Sequence, residues 1–178
     1  TRVYLSDDPV AGNDLFLSHY TLNGALQGGQ FFGQSRQIRL PQTVGNYWVI
    51  VATDTAEQID EILERNNTTI SARPIQVVPA YDAVVQADVE SAPAGSAVPL
   101  RGSAWKTSTG GPAPFVLVNV HLRVRGTRRI ISALTDSEGN FAANFMPLPG
   151  EAGFYEIGAA HPGVASAPIQ DSFTLLGM

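Results

Sequence analysis

The chain has 178 residues, 44% of them apolar and only 15% charged, with a net charge of −5 and no cysteine. That is room for one large domain or two small ones with a real core, and it excludes a disordered chain. It also excludes disulfides, thiolate metal sites and cysteine nucleophiles, and the acidic balance argues against nucleic acid as a partner.

The charge is spread over both halves, with neither an acidic tail nor a basic arm. No apolar run approaches the roughly 18 residues needed to span a bilayer, so membrane insertion is not expected. The chain opens at Thr1 with neither an initiator methionine nor a signal peptide, which reads as a piece of a longer polypeptide.

Residues 3–5 and 16–22 are the first strand candidates. Between them Asp7, Asp8, Asn13 and Asp14 crowd one turn. Hard oxygen ligands of this kind suit Ca²⁺, which takes six to eight oxygens. The same residues also make Asx-turns with no metal, so both readings stay open. Residues 31–40 are the next strand candidate. Residues 47–52 are apolar on both faces, as in a central strand. Trp48 follows Tyr47 there, so one ring points each way, into the core or toward a stacked ligand.

Residues 55–65 are the one segment with helical spacing, at Ile59, Ile62 and Leu63, and Asp54 or Thr55 suits its cap. At this length a single turn or a short helix is expected. The segment is acidic, through Asp54, Glu57, Asp60, Glu61 and Glu64, and ends on Asn66 and Asn67. These carboxylates are a second oxygen-rich cluster. The structural reading is a turn in which Asn66 and Asn67 bond loop amides as the chain re-enters a strand. At least one of the two is then expected to be well buried for a polar residue.

Residues 70–78 follow as a strand. Pro79 interrupts the ladder, and a fresh alternating segment begins at Asp82. Two domains are therefore expected, 1–79 and 80–178.

The second half alternates more cleanly. Along residues 118–125 every even position is aliphatic and every odd one polar, the pattern of a strand with one face in the core. Residues 83–89, 98–105, 129–135, 141–145, 154–160 and 172–176 are further strands. Trp105 closes one of them and is a second candidate for ligand stacking. Asp136 and Gly139 mark a hairpin turn: Gly139 supplies a positive φ, and Asp136 bonds the turn's own amides. Arg123, Arg125, Arg128 and Arg129 surround another hairpin, either as a solvated strand face or as a surface for an anionic partner. Short strands with frequent turns predict an all-β chain of two tandem antiparallel β-sandwiches, immunoglobulin-like in kind.

Residues 2–78 resemble the bacterial cell-adhesion-related domain family, CARDB. The matching residues are Val3-Tyr4-Leu5-Ser6-Asp7-Asp8, Leu40-Pro41, Gly45, Tyr47, Val51, Asp54, Glu61, Glu64, Asn66-Asn67 and Pro74-Ile75 with Val77. A module of that family opens with one or two further strands, which are missing here. The resemblance thus implies an unpaired sheet edge near the N-terminus, to be filled by a second chain, a partner strand or a rearranged terminus. The second half resembles immunoglobulin-like modules of the carboxypeptidase-regulatory or transthyretin-like kind. That match rests on Leu100 to Ala104, Gly110-Gly111-Pro112, Val118 to Val124, Thr135 to Phe141, and Gly153-Phe154-Tyr155 with Ala159.

Little chemistry is on offer. His19, His121 and His161 are far apart, and nothing has metal-ligand spacing. There is no nucleophile elbow, P-loop or dinucleotide fingerprint. An enzyme is not expected, and neither is a cofactor other than Ca²⁺. What remains is a non-catalytic module pair from a large secreted or surface-anchored bacterial protein, acting as adhesion element or spacer. Its partners would be other domains of the same polypeptide and a surface protein or polysaccharide. The alternative is a carbohydrate-binding accessory of a secreted hydrolase.

Overall fold

Alternating apolar and polar residues build thirteen strands in the computed structural model, which describes residues 1–56, 58–60 and 66–177. The described chain is all-β and separates into two units, Thr1–Val78 and Pro79–Met178. No helix among the described residues is long and apolar enough to cross a membrane.

The first unit contains β1 (Arg2–Ser6), β2 (Leu15–His19), β3 (Gly45–Ala52), β4 (Thr68–Ile70) and β5 (Ile75–Val77). They form one antiparallel sheet in the order β2-β1-β3-β4, with β5 also on β3. β3 is central because it is apolar on both faces. Its C-terminal half pairs with β4 and its N-terminal half with β5. Ser71 bridges the gap between those two strands. Its amide donates to the Val49 carbonyl, and its hydroxyl accepts the Val49 amide. Pro74 ends the continuous strand expected over 70–78, since a proline cannot donate to the ladder. The expected strand over 31–40 does not form. Its apolar residues do not alternate and Gly33 interrupts them, so no single face gains by pairing. Phe31 is 92% exposed.

The second unit contains β6 (Tyr81–Ala87), β7 (Ser91–Pro93), β8 (Val98–Lys106), β9 (Leu117–Val124), β10 (Thr127–Leu134), β11 (Asn140–Phe145), β12 (Gly153–Ala160) and β13 (Asp171–Leu176). Two sheets form, β11-β8-β6 and β10-β9-β12-β13-β7. This is the strand distribution of an immunoglobulin-like sandwich, with the fourth long strand, β10, paired to β9 rather than to β11. All pairs are antiparallel except β7 with β13, which run parallel.

Inward-facing residues of both sheets meet in one core. Tyr155 stacks on Phe173 with ring centroids 5.0 Å apart, and Phe145 packs against both. Val98, Leu100, Val118, Val120, Leu122, Ile157 and Leu175 fill the space around them. Burial, and next the neighbouring Glu151 carboxylate, push the Tyr155 hydroxyl up to about 12. Thr135 is also buried, and its hydroxyl donates to the Ala113 carbonyl and accepts the Val116 amide.

The edges of this sandwich are blunted in three ways. β7 is short and ends in Pro93. On edge strand β10, Arg129 lies over the Phe145 ring at 4.7 Å and pairs with Glu151 at 2.8 Å, which places a charge on the core side. On β6, side chains stand in for a missing strand. Gln170 Oε1 accepts the Val85 and Ala159 amides, while its Nε2 donates to the Ala83 and Ala159 carbonyls. Asp171 then accepts the Ala87 amide at 2.8 Å.

Candidate functional site

A concavity on the second unit lies where the β9–β10 hairpin meets the start of β12. Sequence places it there through one turn. Val124 and Thr127 pair, leaving Arg125 (φ 48°) and Gly126 (φ 80°) as a two-residue loop. Positive φ at both central positions is the type I′ geometry that matches strand twist. The turn brings Arg125 beside Gly153, where a Cβ would stand 3.6 Å from the Arg125 Nε. The groove has a volume of about 660 Å³. Arg123, Arg125, Arg128, Phe154 and Glu156 supply its side-chain chemistry.

Two of these arginines are fixed from behind. The connection from β12 to β13 crosses the outer face of the sheet as a strap. Arg123 donates to the Ser166 hydroxyl and the Ala167 carbonyl, and Arg128 to the Ala165 carbonyl. The strap runs so close to β12 that a Cβ at position 158 would meet the Pro168 carbonyl oxygen at 1.8 Å, so only glycine fits. Under the strap His121 is 2% exposed, and neither ring nitrogen has a partner among the described residues. Burial first, then the charges of Arg128 and Arg123, lower its pKa. Arg129 belongs to the core end instead. Of the four clustered arginines, Arg125 alone makes no hydrogen bond or ion pair among the described residues.

The residues singled out from sequence fall elsewhere. Asp7, Asp8, Asn13 and Asp14 share the β1–β2 loop. The Asp8 carboxylate accepts the Val10 amide, and that of Asp14 accepts the Gly12 amide, both at 2.8 Å. No three His, Asp or Glu side chains converge to hold a metal ion among the described residues.

Asp54 has φ 37° and accepts the Gln58 and Ile59 amides, so it closes the turn after β3. Glu61 and Glu64, and most of the helical segment expected over 55–65, lie outside the described residues. Asn67 accepts the Thr53 amide and hydroxyl on its carbonyl, and the hydroxyl again on its side-chain oxygen. The burial expected of this pair is corrected: Asn66 is exposed and Asn67 half-buried. The turn sits at a sheet end, where water can serve its polar groups.

Asp136 accepts the Glu138 and Asn140 amides, and Gly139 has φ 81°. Together they close the β10–β11 turn. Trp48 is half-buried on β3 opposite Ser6. Trp105 is 37% exposed on β8, opposite Asp82 and bridged to Pro112.

The sequence marks Phe154 only as part of a strand and of the immunoglobulin-like match, Glu156 only as part of that strand, and Gln170 not at all. Phe154 is the first outward residue of β12 and is 58% exposed. A large apolar ring at an outward position was the one available sign. Gln170 had none, because its partners on β6 lie more than 80 residues away in sequence.

No protein-family profile matches the chain, and no curated protein matches it. Among solved structures, the chain is similar to FdeC, described as a broadly conserved Escherichia coli adhesin eliciting protection against urinary tract infections. Identity is 15% and the TM-score 0.45, over 79% of this chain and 43% of that one. It is also similar to the D00–D0 domain of intimin, at 18% identity and a TM-score of 0.44, over 99% of this chain and 85% of that one. The chain thus spans less than half of the FdeC structure. Likeness at this level says nothing of ligand or partner.

Proposed function

We propose that the chain is a non-catalytic module pair of a large secreted or surface-anchored bacterial protein, serving as adhesion element or spacer. The observation that supports this reading best is how the second unit ties its first strands to its last. β7 pairs in parallel with β13, and the ladder continues through the Thr174 amide to the Glu90 carbonyl and the Ala94 amide to the Leu176 carbonyl. Gln170 and Asp171 hold β6 from the same end of the chain. Tension on the two ends of such a unit slides these partners past one another. Their bonds are then loaded together, whereas an antiparallel hairpin opens one bond at a time. The buried polar side chains Thr135 and Ser18, and the half-buried Gln170, serve the backbone or each unit's own side chains rather than a substrate. The first unit is read as a cell-adhesion-related module on the residues that carry its resemblance, and the second as an immunoglobulin-like one. Partners on this reading are neighbouring modules and a surface protein or polysaccharide.

Single-molecule pulling of the chain tests the spacer reading. Forced unfolding reports the barrier rather than the equilibrium. Gln170→Ala is expected to lower the unfolding force of the second unit clearly while its far-UV spectrum stays native. An unchanged force would reject the clamp and the load-bearing role with it.

A further inference from the structure

We propose that the groove beside the β9–β10 turn binds an acidic saccharide, a chain of uronic-acid units. The proposal rests on the adhesive form of the function above and gives it a ligand class.

Four of the eleven cationic residues of this acidic chain lie between positions 123 and 129. Three of them line one groove, where the strap engages Arg123 and Arg128 and so fixes their positive charge beside it. Arg125 keeps its guanidinium unpaired at the rim. A planar fork of donors suits a carboxylate, which it meets through two parallel bonds. Phe154, 58% exposed in the same groove, offers a flat apolar face. A sugar ring presents C–H groups of matching shape on one side.

The choice of saccharide over acidic peptide comes from Glu156. It stands opposite Arg123 in the ladder, lines the groove, and makes no hydrogen bond or ion pair among the described residues. Arg123 does not neutralise it, because that guanidinium is turned to the strap. A lone carboxylate repels the carboxylates of an acidic peptide and of a polyuronate alike, and only the saccharide brings hydroxyls that offset this. The Glu156 carboxylate accepts hydrogen bonds from those hydroxyls, being acceptor-only when ionised. The groove also lies on a sheet face and not along a free strand edge, so a peptide gains no backbone pairing there. Cation, acceptor and aromatic face together match a ring that carries one carboxylate and several hydroxyls.

The test is titration of the full chain with trigalacturonate, followed by amide chemical shifts, beside the neutral galactose trimer and poly-L-glutamate. Shifts are expected at residues 123–128 and 153–156 with trigalacturonate alone. Arg125→Gln and Phe154→Ala should each weaken binding roughly tenfold, the scale of one charged hydrogen bond or one buried ring. Both side chains are exposed, so the melting temperature should hold. Three results would overturn the proposal. One is no shift at millimolar trigalacturonate. Another is equal binding of the neutral trimer. The third is binding of poly-L-glutamate that is unmoved by Phe154→Ala, the mark of a bare charge patch. Failure here leaves the pulling experiment on Gln170→Ala unaffected, so spacer and adhesive readings fail separately.

Discussion

The two units use the same β-strands to different effect. In the second, inward residues from two sheets form a continuous core from Tyr81 to Leu175, and three devices blunt its edges. In the first, the described residues form one sheet, and Leu5 and Ile50 are its buried apolar side chains. Its central strand β3 is apolar on both faces, yet Tyr47, Trp48, Val49 and Val51 are only half-buried. Leu15 and Phe16 on edge strand β2 are more than half exposed. Strand propensity makes a sheet, but closure needs a second layer whose side chains interdigitate with the first.

That contrast is sharpest at a single side chain in each core. Phe145 is fully buried against Tyr155, Phe173 and the Arg129 guanidinium. Phe145→Ala should cost the second unit about 3–5 kcal/mol, the range for a large side chain that leaves a cavity in a packed site. Ile50→Ala should cost the first unit about 2 kcal/mol, near the low end for such truncations. Its half-exposed neighbours can shift into the space or be wetted. Urea unfolding followed separately by tryptophan emission, from Trp48 in one unit and Trp105 in the other, reads the two costs. An equal or larger loss for Ile50→Ala would mean that the first unit is as well closed as the second.

The same difference governs what could be read from sequence. Strands of the second unit were legible because one face goes to the core and the other to water, so composition alternates along them. β9 starts one residue from its expected position, and Asp136 and Gly139 close their turn by chemistry confined to five residues. β7 was not legible, being three residues long. Neither was the clamp at Gln170, whose bonds join segments distant in sequence and leave no periodic trace. The strap over His121 left a faint one. Positions 158 and 160, on the outward face of β12, are glycine and alanine, small where a solvated face would be polar. In the first unit, residues 31–40 look apolar enough for a strand but lack alternation, and the chain leaves them unpaired. The groove was half legible: its arginines stand out in the sequence, whereas Phe154 and Glu156 join them only through the register of β12 on β9.

Acid should separate the two units further. Burial lowers the pKa of both His121 and His161, and Arg128 and Arg123 push that of His121 lower still. Glu156 is the carboxylate that lines the space around His121. A histidine whose folded pKa lies below its unfolded value of about 6.5 is protonated first in the unfolded chain. Its contribution to stability is therefore complete above pH 6.5 and falls as pH drops toward the lowered folded value. The urea midpoint of the second unit is expected to decrease between pH 7.5 and 5. His121→Leu removes one titration and should flatten that decrease. Parallel pH profiles for the two proteins would show that His121 takes up its proton alike in the folded and unfolded chain, so that burial does not hold it neutral.

The smallest effect is expected where the sequence looked most like a metal site. Asp8 and Asp14 already accept amides of their own loop, Asp8 in an Asx-turn and Asp14 from the residue two before it. A ligand stabilises a fold only as far as it prefers the folded state, by RT ln(1 + [L]/Kd). With two of the four oxygen-bearing side chains bound to backbone, a bound Ca²⁺ would have to displace those bonds before gaining its own. Excess Ca²⁺ against EDTA should then move the melting temperature of the first unit by less than about 1 °C, against several degrees for a folding-linked site. A rise of several degrees that is lost in Asp14→Asn would reinstate Asp7, Asp8, Asn13 and Asp14 as a Ca²⁺ site. It would also give the first unit a closing device of its own, in place of the interdigitated core that holds the second.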